Sequence, residues 1–231
     1  SEGTRRDVEA LFQIEPSRLH IIHNGIDPDE YQPAKTHAVL DRFGIDRSKP
    51  YALFVGRITR QKGIIHLANA IQHFDPGFQV VLCAGAPDTP EIAEEMKTAV
   101  AAAQAKRDGI IWIGEMIDNP SKIELYSHAA VFVCPSIYEP FGIINLEAMA
   151  CGVPVLCTTS TGGADFIAHR QNGLLIDPGS TTAIEQELVW ALTHRDELFQ
   201  IGQAARIEAE KHTWSAYRRK FFAAYTASTP A

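Results

Sequence analysis

No Cys-x-x-Cys pair occurs in this sequence, and its four cysteines, Cys83, Cys134, Cys151 and Cys157, are scattered through 231 residues. That scatter excludes the common zinc and dithiol frameworks and leaves small buried thiols, kept reduced as in the cytoplasm. Excess positive charge is also missing. The formal net charge of −7 argues against a nucleic-acid surface or an anionic membrane, because counterion release needs clustered Lys and Arg. No apolar run reaches the roughly 20 residues that span a bilayer, and no signal peptide is read at the start. No Gly-x-Gly-x-x-Gly follows an apolar run, which disfavours a dinucleotide dehydrogenase. The nine histidines show no His-Glu-x-x-His spacing. A bare Asp27-Pro28-Asp29 pattern stands beside an Asn24-Gly25 turn signal, so it reads as a loop and not as a metal site.

What is present is ordinary for a soluble globular protein, with 45% hydrophobic and 21% charged residues. The length fits one large domain with trailing helices from about residue 180. Short apolar runs at 19–22, 51–55, 79–83, 110–113, 130–134, 154–157 and 173–176 are candidate strands. Helical patterns lie near 36–43, 63–74, 89–107, 119–128, 142–151 and 164–170. The runs after position 50 are rich in Val, Ile, Leu and Phe without polar alternation, which suits strands buried on both faces. Strands alternating with helices predict an α/β fold with a doubly wound parallel sheet. Beyond Ser180 the pattern is helical to about 224, with a break near His212-Thr213-Trp214. The chain begins at Ser1, inside what reads as a helix, so a longer parent protein is expected.

Two segments carry candidate chemistry. In the first, an apolar strand is followed by a polar turn holding Glu139, then Gly142 and a buried helix containing Glu147. That order aims the free N–H groups of a helix N-terminus, near Phe141, Gly142 and Ile143, at whatever fills the adjacent crevice. A carboxylate beside such a turn suits sugar hydroxyls on a ligand that also carries phosphate. A plain helix-capping carboxylate at Glu139 and a solvated mid-helix Glu147 are the bland alternatives. The second segment, Gly56-Arg57-Ile58-Thr59-Arg60-Gln61-Lys62-Gly63, follows another strand. An arginine fork and a lysine point charge together suit a diphosphate. Without a Gly-Lys-Ser/Thr ending it is no Walker loop, and alone it would equally be a solvated basic loop. In a parallel sheet both segments would meet at one edge.

Taken together, Gly56-Arg57, Lys62-Gly63 and the Glu139–Glu147 pair resemble the paired signatures of retaining GT-B glycosyltransferases. The 83–91 and 138–152 segments narrow the likeness to actinobacterial-type glycogen synthases, a group that includes enzymes making maltose phosphate. The resemblance runs from about His23 to Trp214 and implies the C-terminal, Rossmann-like half of a GT-B fold. It implies that Arg57 and Lys62 neutralise the departing diphosphate and Glu139 holds the donor sugar, these three being the catalytic set. It further implies that Glu147 holds the ribose, Met116 borders the base, and the backbone around Phe141, Gly142 and Ile143 faces diphosphate and sugar. The donor would be a nucleotide sugar, ADP-glucose first, and the acceptor an α-1,4-glucan. Catalysis would need no metal or other cofactor. An N-terminal acceptor-binding domain, absent from this sequence, would pack against the terminal helices. UDP- or GDP-sugar transferases and a nucleotide-sensing module remain as alternatives. One departure stands out: Thr161-Gly162-Gly163 is followed by Ala164-Asp165-Phe166, with the acid one place earlier than the Gly-Gly-Ile-Pro-Glu pattern of the family.

Overall fold

The computed structural model describes residues 1–73 and 77–228. Among these residues six strands form one parallel sheet: β1 (Tyr51–Arg57), β2 (Gln79–Gly85), β3 (Ile110–Ile113), β4 (Val131–Cys134), β5 (Val155–Thr158) and β6 (Leu174–Ile176). Their order, β3-β2-β1-β4-β5-β6, is that of a doubly wound sheet, with the topological switch between β1 and β4. The helices are α1 (Glu2–Phe12), α2 (Ala38–Arg42), α3 (Ile64–Ala70), α4 (Pro90–Lys106), α5 (Asn119–His128), α6 (Ile143–Ala150), α7 (Thr181–Thr193), α8 (Arg195–Ala209) and α9 (Trp214–Ser228).

Strand side chains alternate between two cores, the reason the apolar runs show no polar spacing. Ala52 and Phe54 of β1 join Val80, Leu82, Val131 and Val133 beneath α3, α4 and α7. Tyr51 and Leu53 join Val81, Phe132, Val155 and Cys157 on the other face, with α5, α6 and α8. Helix starts follow local chemistry: Thr89, Asp118 and Ser180 each accept a backbone N–H at the N-terminus of α4, α5 and α7. All four cysteines are buried and free.

Four expectations are corrected. Residues 19–22 form no strand. Leu19, Ile21 and Ile22 are half-buried and His20 is exposed, beside Glu2 and Arg5 of α1 and Lys220 and Ala223 of α9, and among the described residues no strand pairs with them. The expected helix over 164–170 is replaced by a 3₁₀ turn at Gly162–Asp165. The Asn172 amide accepts from Ala168 N–H at 2.6 Å and donates to the Phe166 carbonyl at 3.0 Å, and so holds this backbone in turns. Gly56 and Arg57 belong to β1, paired with Ala84 and Gly85, so the loop after β1 is shorter than the two glycines suggest. The helix expected over 63–74 spans Ile64–Ala70 plus a 3₁₀ turn at Ile71–His73; residue 74 lies outside the described residues.

Candidate functional site

The crevice opens at the C-terminal ends of β1 and β4, where open α/β sheets bind ligands. Its two loops are stitched together by backbone: Ile137 N–H donates to the Gln61 carbonyl at 2.8 Å. Gly63 makes this approach possible. Its φ is +64°, and a Cβ there would stand 2.0 Å from the Pro135 carbonyl oxygen. As a result Lys62 Nζ forms an ion pair with Glu139 Oε2, their side chains only 22% and 15% exposed. The two residues expected from separate segments do converge.

The Glu139 turn is held from a third loop. Gly162 N–H donates to the Glu139 carbonyl at 2.8 Å, and a single parallel bridge joins Glu139 to Thr161. Beyond it, Gly142 takes a left-handed φ of +78° and opens α6, whose N-terminus has no side-chain cap. Ile143 is on the exposed rim, and Phe141 is half-buried, stacked on His23 with ring centroids 5.7 Å apart. The displaced acid, Asp165, binds His23 Nε2 at 2.9 Å and accepts Glu2 N–H at 2.8 Å, so here it ties the chain's first helix to this loop.

Arg57 stands apart from the Lys62–Glu139 pair. It is on the rim, bound to Asp88 at 2.8 Å, and Arg60 is drawn away to Glu95 at 3.0 Å. Arg57 instead borders a second cavity of about 220 Å³ that Val55, Cys83, Gly85, Met116 and Lys122 also line. Met116 is almost fully exposed at its mouth. Burial, helped by Glu115, pushes the Cys83 thiol up to about 11, so it stays protonated near neutral pH.

Glu147 is buried behind this cavity. It pairs with Lys122 Nζ at 2.9 Å and accepts the hydroxyls of Tyr31 at 3.0 Å and Tyr126 at 3.2 Å. Burial first, then the Glu147 charge, raises both tyrosine hydroxyls well above their ordinary value, so both donate to the carboxylate. Lys122, Tyr31 and Tyr126 are absent from the sequence-derived set. The signal available for two of them was the i, i+4 spacing of Lys122 and Tyr126 on α5, which puts them on one helix face. Asp27 and Asp29 form a local turn, with Asp29 N–H on Asp27 Oδ1 at 2.9 Å. Among the described residues no group of three or more His, Cys, Asp or Glu is placed to hold a metal, and no helix is long and apolar enough to cross a membrane.

A family model described as glycosyl transferases group 1 matches residues 38–208. The chain is 42% identical over 226 residues to an alpha-maltose-1-phosphate synthase of Mycolicibacterium smegmatis, covering 93% of this chain and 58% of the relative. It is 26% identical over 237 residues to a D-inositol 3-phosphate glycosyltransferase of Xylanimonas cellulosilytica, covering 98% and 56%. The chain thus spans a little over half the length of these relatives. Among solved structures, HepE of Anabaena in complex with UDP superposes with a TM-score of 0.87 at 17% identity, covering 98% of this chain and 62% of that one. At that identity the likeness is one of fold: a six-stranded parallel, Rossmann-like sheet of the GT-B kind.

Proposed function

From the premise that the chain belongs to the glycosyl transferases group 1 family, we propose that it is the donor-binding half of a retaining hexosyltransferase. The donor is a nucleoside diphosphate sugar, ADP-glucose first, and the acceptor an α-1,4-glucan. The observation that carries this reading is the Lys62–Glu139 ion pair across the crevice at the N-terminus of α6. It sets a cation, a carboxylate and free backbone N–H groups around one space, which is what a sugar joined to a diphosphate requires.

The ion pair also sets the order of events. An entering donor replaces each partner of the pair: Lys62 turns to the diphosphate and Glu139 accepts hydroxyls of the hexose. As the glycosidic bond breaks, negative charge grows on the departing phosphate, and Lys62, the α6 N–H groups and Arg57, once it leaves Asp88, stabilise it without a metal. The nucleoside lies toward the cavity lined by Met116, and Glu147 reaches the ribose hydroxyls by giving up one of its bonds from Tyr31, Tyr126 or Lys122. The acceptor belongs to an N-terminal domain outside this sequence, against which the exposed Phe221, Phe222 and Tyr225 of α9 would pack. This half alone should bind nucleotide and transfer little.

Calorimetric titration with ADP, UDP and GDP tests the reading, with ADP expected to bind most tightly. No binding of any of the three at millimolar ligand would reject it. A second acceptor is favoured by the 42% identical relative: transfer to glucose 1-phosphate gives maltose 1-phosphate, the product in that protein's name. Assaying the whole protein with labelled ADP-glucose and both acceptors separates the two.

A further inference from the structure

Most polar side chains buried around the crevice are matched. Glu147 is satisfied by Lys122, Tyr31 and Tyr126, and the hydroxyls of Thr158 and Thr161 each donate to a backbone carbonyl. Asn145 in α6 is the exception. It is fully buried, and neither Nδ2 nor Oδ1 has a hydrogen-bond partner among the described residues.

Two glycines define where its carboxamide lies. A Cβ on Gly142 would stand 2.8 Å from Asn145 Nδ2, and one on Gly163 would stand 2.6 Å from it. The amide is wedged between the 139–142 turn and the 161–163 loop, the two segments that the Gly162 N–H already joins at the Glu139 carbonyl. Helical side chains tilt toward the N-terminus of their helix, so Asn145, three residues after Gly142, reaches back under the turn that presents Glu139.

Leucine has the same branching and the same number of side-chain heavy atoms, though a larger volume; it forms helices better and would match the buried Leu146, Ala148 and Met149 beside it. A buried amide without partners opposes folding. A side chain that weakens the free fold at the border of a ligand crevice points to a task in the bound state. We propose that Asn145 positions the donor hexose: its carboxamide takes up its hydrogen bonds when the sugar draws Glu139 from Lys62 and the 139–142 turn settles against it. This rests on the donor-site reading above. It concerns the sugar end alone, since the nucleoside end has its own cavity around Met116 and Lys122.

The test is titration of the chain with ADP, UDP and GDP and with the matching diphosphoglucoses, for the wild type, Asn145→Leu and Asn145→Ala. Both variants are expected to bind the nucleoside diphosphate as the wild type does and to bind the diphosphoglucose about tenfold more weakly, the size of one lost hydrogen bond. Unchanged diphosphoglucose affinity in both variants would overturn the inference. So would equal loss for both ligands, or failure of either variant to fold, since each marks a merely structural amide. If the wild type bound none of the nucleoside diphosphates, the donor-site reading itself would fall and this inference with it.

Discussion

Lys62 and Glu139 neutralise one another in a place largely shielded from water, so neither can be removed without exposing the other's charge. Lys62→Ala is expected to lower turnover of the whole enzyme by roughly 3–4 kcal/mol of transition-state stabilisation, a factor of several hundred. It should cost the fold only about 1–3 kcal/mol, less than a fully buried pair would. Turnover within threefold of wild type would end the charge-neutralising role. Glu139→Gln keeps hydrogen-bond acceptance while releasing Lys62, so it should weaken diphosphoglucose binding more than nucleoside diphosphate binding. The meeting of these residues was legible in the sequence because each ends a strand–loop–helix unit of one parallel sheet. Arg57 was legible only as a cation: its Asp88 partner comes from the loop after β2, which no local pattern links to it. Lys122 and Tyr31 were hidden for the same reason, since they meet Glu147 from separate elements.

Two packing details of the elements yield predictions. The loop that holds the Glu139 turn comes so close that a Cβ on Gly162 would stand 2.4 Å from the Pro140 carbonyl oxygen. Gly162 has no positive φ, so Gly162→Ala tests sterics alone. It is expected to destabilise the chain by about 1–3 kcal/mol in chemical denaturation, with weakened diphosphoglucose binding. At the other end of the sheet, Glu124 of α5 accepts Val39 and Leu40 N–H and the Thr36 hydroxyl, capping the five-residue α2 from outside. Burial would raise its carboxyl, but the hydrogen bonds from Thr36, Val39 and Leu40 win and hold it below the ordinary 4.5. A depressed folded value means that the stabilisation is complete above pH 4.5 and is lost as pH falls through the folded value. Glu124→Gln is therefore expected to cost about 1–2 kcal/mol at pH 7, with the gap to wild type closing in acid; a gap independent of pH would refute this. Strands were the legible elements, since burial on both faces leaves an unbroken apolar run. Residues 19–22 show the limit of that signal, because apolar residues packed on helices look the same. The 164–170 error has a different source, a side chain six residues from the carbonyl it holds.

Across the molecule, α1 and the turn before α9 are fastened to the loops of the crevice. Tyr138 donates to Asp7 of α1 at 3.1 Å, and Ile26 N–H donates to the His212 carbonyl at 2.9 Å. His212 closes an aromatic group with Phe166 (5.2 Å) and His23 (5.8 Å), and His23 in turn stacks on Phe141 beside Glu139. Burial lowers the His212 imidazole below its ordinary 6.5, and nearby His23 adds to this; Glu208, at 3.3 Å, only partly opposes them. The unfolded chain therefore binds this proton more readily than the folded one. Stability must then rise with pH through the window between the lowered value and 6.5 and fall as acid is added below 6.5. The slope cannot exceed about 1.4 kcal/mol per pH unit for one proton. Urea unfolding at a series of pH values from neutral downward should show this loss in the wild type and a flatter profile in His212→Gln. Because the same group backs the Glu139 turn, diphosphoglucose affinity should decline over the same window in the wild type and less in the variant. Parallel stability profiles in the two proteins would place the acid sensitivity elsewhere and uncouple the His212 aromatic group from the donor crevice.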